Sequence, residues 1–188
     1  PQDRFSSRQG NLKLLVVGGS LGAQILNTVV PQALKKMPAE SCPIVIHQTG
    51  SSHCEAVQKS YTDLQLIGEV IPFIDDMAKQ YAQCDVIICR AGALTVAELC
   101  AAGVASILVP YPHAVDDHQT SNAKFLSDQG AAILLPQSEL TADTLAQLLT
   151  NLTRKQLLDM SIKARSLAKP QATRVVSEIC IELSRRVA

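Results

Sequence analysis

Apolar positions in this chain form two kinds of run that alternate along it. Short continuous runs at Leu12 to Val17, Ile44 to His47, Leu64 to Ile67, Val86 to Cys89, Ser106 to Val109 and Ala132 to Leu135 predict six strands. They are apolar throughout rather than at every second residue, as strands buried on both faces are. Between them, apolar residues three and four apart predict helices over Ala23 to Lys36, Ser51 to Ser60, Ile74 to Ala82, Thr95 to Ala102 and Asp117 to Gln129. Pro31 lacks an amide and is expected to kink or divide the first of these. From Thr141 the pattern is helical only, over Thr141 to Thr150, Arg154 to Ala168 and Thr173 to Arg186, a tail expected to pack on the outer helices.

This alternation predicts an α/β fold, a Rossmann-like doubly wound parallel sheet with a helical C-terminal tail, whose ligands sit at the carboxyl ends of the strands. A chain of 188 residues, 47% hydrophobic, suffices for one core. We expect one domain over residues 11–188, preceded at 1–10 by a polar segment that reads as the remnant of an interdomain linker. With no initiator Met and a strand arriving almost at once, the sequence reads as part of something longer.

Charge and composition then narrow the partners. Seventeen basic and seventeen acidic side chains cancel, so no net field draws the chain to nucleic acid or to an anionic membrane, and an anionic ligand must be held locally. The six cysteines form no C-x-x-C pair and several lie in apolar runs, the pattern of reduced buried thiols in a cytoplasmic protein. The four histidines lack metal-ligand spacing among themselves, so neither a metal site nor a cofactor is expected. No apolar run reaches the roughly 20 residues of a membrane span.

Three loops at strand ends carry candidate chemistry. After the first strand, Gly18-Gly19-Ser20-Leu21-Gly22-Ala23 permits close backbone approach and leads into a helix whose free amides suit a phosphate; equally, it is a tight turn with Ser20 capping the helix. It is not G-x-G-x-x-G, and the second strand ends in His47-Gln48-Thr49-Gly50 rather than in an acid, which makes a nicotinamide site the poorest reading. After the fourth strand, Arg90-Ala91-Gly92-Ala93-Leu94 leads into Thr95-Val96-Ala97-Glu98. Thr95 and Glu98 have the spacing of a capping box, yet the same segment would offer amides to phosphates and a carboxylate to ribose hydroxyls. After the fifth strand, His118, Gln119 and Asn122 are either surface decoration or neutral hydrogen-bonding groups for a sugar.

Together with Phe73-Ile74-Asp75-Asp76-Met77, these segments resemble, in this order, the C-terminal domain of the MurG family of bacterial peptidoglycan glycosyltransferases. Members of that family transfer N-acetylglucosamine (GlcNAc) from UDP-GlcNAc to undecaprenyl-pyrophosphoryl-muramyl pentapeptide, lipid I, to form lipid II. The resemblance covers essentially the whole chain. It implies one lobe of the two-lobed GT-B architecture, the donor lobe, with the acceptor site and catalytic base in an N-terminal lobe. It further implies an enzyme peripheral to the cytoplasmic face of the inner membrane, and no catalytic residue in this chain.

By the resemblance, Gly19, Ser20 and Gly22 form the loop whose serine meets the donor phosphates. Ile74 recognises uracil through its backbone. Ala93, Leu94 and Thr95 lie against the nucleotide and diphosphate, and Glu98 grips the ribose. Gln119, with His118 and Asn122 beside it, contacts GlcNAc hydroxyls; some members carry Gln-Gln where this chain has His118-Gln119. Competing expectations are the donor lobe of another UDP-sugar enzyme, such as a glycolipid glycosyltransferase or UDP-GlcNAc epimerase, and a non-catalytic donor-binding subunit.

Overall fold

The structure, a computed structural model, describes residues 1–6 and 8–187. Among the described residues one sheet of six parallel strands forms, from β1 (Lys13–Val17), β2 (Ile44–Gln48), β3 (Gly68–Ile71), β4 (Val86–Cys89), β5 (Ala105–Leu108) and β6 (Ala132–Leu134). Their order across the sheet is β3-β2-β1-β4-β5-β6. The chain winds outward in one direction from β1 and then, from β4, in the other. That reversal places a crevice at the carboxyl ends of β1 and β4, the topological switch point at which such sheets bind ligands.

Because successive side chains in a strand point to opposite faces, β1 sends Leu14 and Val16 into one core and Leu15 into the other. The first core takes Leu26, Val30 and Leu34 from helix α2 (Gln24–Lys36), Val57 and Tyr61 from α3 (Cys54–Asp63), and Leu145 and Leu149 from α7 (Ala142–Asn151). The second takes Tyr81 from α4 (Met77–Gln83), Val96 and Leu99 from α5 (Ala93–Ala102), and Ala123 and Leu126 from α6 (His118–Ser127). Helix α8 (Arg154–Ser166) gives Leu157 and Met160 to the first core and Ala164 to the second, and packs on α5 and β5.

The third strand departs from expectation. Leu64 to Ile67 is not β3: α3 runs on to Asp63, Leu64 closes it, Gln65 turns with φ 57°, and Ile67 is 93% exposed. The strand is Gly68–Ile71, four residues later, at a sheet edge where half-burial blurs the apolar pattern. Nor does Pro31 divide α2, which runs unbroken through it. Of the tail, α7 packs on α2 and α8 on α5, but α9 (Ala172–Val187) is exposed throughout 172–185.

Arg4, Phe5 and Arg8 tie the start of the chain to the domain. Phe5, in helix α1 (Gln2–Ser6), is buried in the first core, and the Arg4 guanidinium donates to the carbonyl oxygens of Tyr81, at 3.0 Å, and Gly103. Arg8 pairs with the fully buried carboxylate of Asp85, which also accepts the Lys13 N–H at 2.8 Å and faces Arg154 at 3.8 Å. Among the described residues no helix is long and apolar enough to cross a membrane.

Candidate functional site

The mouth of the switch point is a cleft of about 650 Å³ lined by Gly18 through Ile25, Thr28, Arg90, Tyr111, Gln119 and Gln137. A smaller, more apolar cavity of about 300 Å³, between Leu34, Cys42, Ile44 and Leu66, contains none of the candidate loops. The larger cleft is the candidate site because strand-end chemistry converges there.

Its floor is the glycine-rich loop. Ala23, not Ser20, stands at the N-cap of α2, and it gives no side-chain cap; the first amides of the helix therefore have no side-chain acceptor. Ser20 is exposed and caps nothing, so the serine-cap part of the turn reading fails, while the tight turn itself is present, closed by the Gly22 N–H on the Gly19 oxygen at 2.9 Å. What remains is a helix amino end carrying partial positive charge, with a hydroxyl beside it.

The loop is fixed by residues that the pattern of the sequence did not single out. Gln48, 3% exposed at the end of β2, accepts the Gly19 N–H with Oε1 at 3.1 Å and donates from Nε2 to the oxygens of Gly19 at 2.9 Å and Pro72 at 3.0 Å. One amide thus ties the glycine-rich loop to the segment that leads into Phe73 and Ile74. Below it, Asn27 Nδ2 donates to the Thr49 oxygen at 3.0 Å, while Asn27 Oδ1 lies 3.1 Å from His47 Nε2 and Tyr61 Oη lies 3.1 Å from His47 Nδ1. Because Asn27 uses its NH₂ on Thr49, its oxygen must accept. His47 is therefore assigned as the neutral Nε2–H tautomer, with Nδ1 accepting from Tyr61.

Burial lowers the His47 pKa to about 4. Between that value and the ~6.5 of an unfolded histidine, only the unfolded chain takes up the proton. Stability is then fully present above about pH 6.5 and is lost as pH falls toward 4, by about 3 kcal/mol in all. Urea unfolding at intervals of pH is expected to show this loss, and His47→Gln to flatten the curve between those limits.

The segment after β4 corrects the capping-box reading. Helix α5 begins at Ala93 with Gly92 as N-cap and no side-chain cap, so Thr95 lies inside the first turn and Glu98 in the second. Glu98 instead accepts a hydrogen bond from the Tyr81 hydroxyl at 2.8 Å. Capping boxes of this kind form at Thr141 with Thr144 and at Thr153 with Gln156. Ala93 and Leu94 are exposed, as is Glu98, and Thr95 is half-buried. Ile74 is buried as a side chain, while its main-chain N–H and C=O make no hydrogen bond among the described residues.

Arg90, which closes the strand side of this loop, donates to the oxygens of Val109 at 3.2 Å and Pro110 at 3.1 Å and lies 5.3 Å over the Tyr111 ring. It brings a permanent cation to the wall of the cleft. Gln119 Oε1 accepts the N–H groups of Ala91 at 3.2 Å and Tyr111 at 3.0 Å, and Asn122 Nδ2 donates to the Ala91 oxygen at 3.0 Å. These two amides hold the Ala91 main chain at its N–H and at its C=O. With its oxygen so engaged, Gln119 presents Nε2, a donor, to the cleft it lines. Asn122 uses one of its two amide N–H groups on the loop. His118 is exposed in the first turn of α6.

Among the described residues no group of three or more His, Cys, Asp and Glu is placed to hold a metal ion. The six cysteines are free thiols, and burial raises the pKa values of Cys84 and Cys89 to about 12. These thiols are packing groups rather than nucleophiles.

With this geometry in hand, comparison with known proteins gives the family. Residues 13–179 match the glycosyltransferase family 28 C-terminal domain, and the chain belongs to that family. A relative from Nitrosospira multiformis is 58% identical over 183 residues, which are 97% of this chain and 51% of the relative. One from Nitrosomonas europaea is 58% identical over 184 residues, 98% of this chain and 52% of its own length. Both are named UDP-N-acetylglucosamine--N-acetylmuramyl-(pentapeptide) pyrophosphoryl-undecaprenol N-acetylglucosamine transferase. The chain thus spans about half the length of the curated relatives it matches.

Among solved structures, Acinetobacter baumannii MurG superposes with a TM-score of 0.88 at 49% identity, over 94% of this chain and 51% of that one. The glycosyltransferase VinC in complex with dTDP shares the fold alone, with a TM-score of 0.59 at 16% identity over 98% of this chain and 44% of that one. The fold is one lobe of a GT-B glycosyltransferase.

Proposed function

We propose that this chain binds UDP-GlcNAc as the donor lobe of a glycosyltransferase that passes GlcNAc to undecaprenyl-pyrophosphoryl-MurNAc-pentapeptide, lipid I. The observation that carries the nucleotide part is the convergence of the α2 amino end, Ser20 and Arg90 on one cleft at the switch point. As the glycosidic bond breaks, UDP leaves as an anion. Preorganised N–H groups, a hydroxyl and a guanidinium aimed at that diphosphate stabilise the developing charge where no metal is needed. The identity of the sugar and acceptor is supported by the names of relatives 58% identical to this chain.

In this reading Gly19, Ser20 and Gly22 frame the diphosphate, with Ala93, Leu94 and Thr95 against it from the α5 side. The unengaged main chain of Ile74 pairs with uracil, and Glu98 accepts from the ribose hydroxyls. Gln119 Nε2 donates to a GlcNAc hydroxyl, with His118 and Asn122 beside it; Asn122 acts chiefly by holding the loop. The lipid acceptor and the base that deprotonates it belong to the other half of the relatives' length, and the enzyme works at the cytoplasmic face of the inner membrane, where an undecaprenyl lipid is reached. This chain alone is then a binding lobe without turnover.

Calorimetric titration with UDP, UDP-GlcNAc and UDP-GalNAc tests the assignment. The expected result is binding of all three, tightest for UDP-GlcNAc. Equal affinities for the two sugar nucleotides would remove the sugar assignment, and no heat with any of the three would remove the nucleotide assignment as well. GlcNAc transfer by this chain alone would overturn the division of labour.

A further inference from the structure

Helices α4 and α5 pack against each other on one face of the sheet and are joined by a side-chain hydrogen bond. Tyr81, in α4, is 5% exposed, with its ring in the second core and its main-chain oxygen held by Arg4. Its hydroxyl donates to Glu98 Oε2 at 2.8 Å. The Glu98 side chain is exposed and makes no other hydrogen bond or ion pair among the described residues, and the groove around the pair is otherwise apolar, lined by Met77, Ala78, Ala82, Ala101 and Ala102. A phenol buried in the core is a fixed point; an exposed glutamate on three rotatable bonds is not.

We propose that Tyr81 is a positioning residue for the nucleotide: its hydroxyl holds one oxygen of Glu98 so that the other is presented to the ribose hydroxyls. The inference rests on the ribose-binding role of Glu98 given above. The carboxylate is ordered by the fold before the ligand arrives, so binding does not have to pay for freezing it. Burial and the neighbouring carboxylate both push the Tyr81 phenol up, so it remains a donor at neutral pH and well above it. A phenylalanine at this position keeps the ring and its packing and removes only the donor.

The test is affinity for UDP against 2′-deoxy-UDP, measured by calorimetry on the wild-type chain, Tyr81→Phe and Glu98→Ala. The wild type is expected to prefer UDP, and Glu98→Ala to lose the preference. Tyr81→Phe is expected to shrink it by about threefold to tenfold, the loss of one hydrogen bond to a charged group, with 2′-deoxy-UDP affinity and melting temperature near wild type. Full preference in Tyr81→Phe overturns the proposal, as does an equal loss for both nucleotides, which marks general damage to the site. No preference in the wild type, or an undiminished one in Glu98→Ala, overturns the ribose reading itself and with it the role of Tyr81.

Discussion

Gly22→Ala is expected to destabilise the domain by ~4 kcal/mol and to abolish UDP binding, while Gly19→Ala, three residues earlier in the same loop, costs only ~1 kcal/mol. Both glycines have positive φ, 77° and 85°, so both substitutions carry the left-handed penalty of an L-residue. They differ in what a methyl group would meet. At Gly19 there is open space, whereas at Gly22 the added carbon would lie 2.0 Å from the Thr49 oxygen. That oxygen cannot retreat easily, since Asn27 donates to it and the Thr49 N–H is bonded to Ile71 in the neighbouring strand-end segment. Relief must come from the glycine-rich loop lifting off β2, which carries Ser20 and the α2 amides away from the cleft. For a domain of this size the Gly22 variant should melt roughly 10 °C lower, read by circular dichroism, with the Gly19 variant within a few degrees of wild type. A Gly22→Ala protein with wild-type melting and UDP affinity would show that the loop is not pinned as described.

The contrast between those two glycines illustrates what the sequence carries and what it does not. The alternation of short apolar runs with helical periodicity is a local property, so five of the six strands and the doubly wound class were readable. The edge strand was not, because Leu64 and Leu66 pack as the end of a helix and its turn, and only the packed structure separates that use of leucine from a strand. Loops at the ends of β1, β4 and β5 were legible as candidates since strand ends are where parallel sheets bind ligands. Which side chains face a ligand there is a question of long-range contacts. Gln48 looked like any polar strand end until its amide was found on Gly19 and Pro72. Asn122 Nδ2 and the oxygen of Gln119 hold the Ala91 main chain, contacts that no local pattern in the sequence marks. The Thr95 to Glu98 spacing fits a capping box, but α5 starts two residues before Thr95, which moves Glu98 away from the helix end and onto Tyr81.

Gln48→Glu puts this account of the cleft under the most direct strain. The wild-type amide both accepts and donates, one oxygen on the Gly19 N–H and one NH₂ on two carbonyl oxygens, in a place with almost no access to water. An ionised carboxylate of the same shape would keep the first contact and face the two carbonyls with no proton to offer, so the folded chain should hold it protonated. Keeping a group with an unfolded pKa of about 4.3 neutral at pH 7 costs ~4 kcal/mol. The sign follows from linkage. The folded pKa is raised, so the penalty is absent below about pH 4.3 and grows as pH rises toward the folded value. His47 is the same in both proteins, and its depressed pKa weakens both alike as pH falls toward 4, so the difference between them comes from position 48. The two stability curves are therefore expected to lie furthest apart near neutral pH and to converge in acid. UDP affinity of the folded variant should be reduced to a similar extent from pH 5 to 7, because the side chain stays protonated over that range and a single protonated oxygen can satisfy only one of the two carbonyls. Parallel curves for variant and wild type would mean that the side chain at this position has moved out to water, and that the glycine-rich loop and the Pro72 segment are not tied through it.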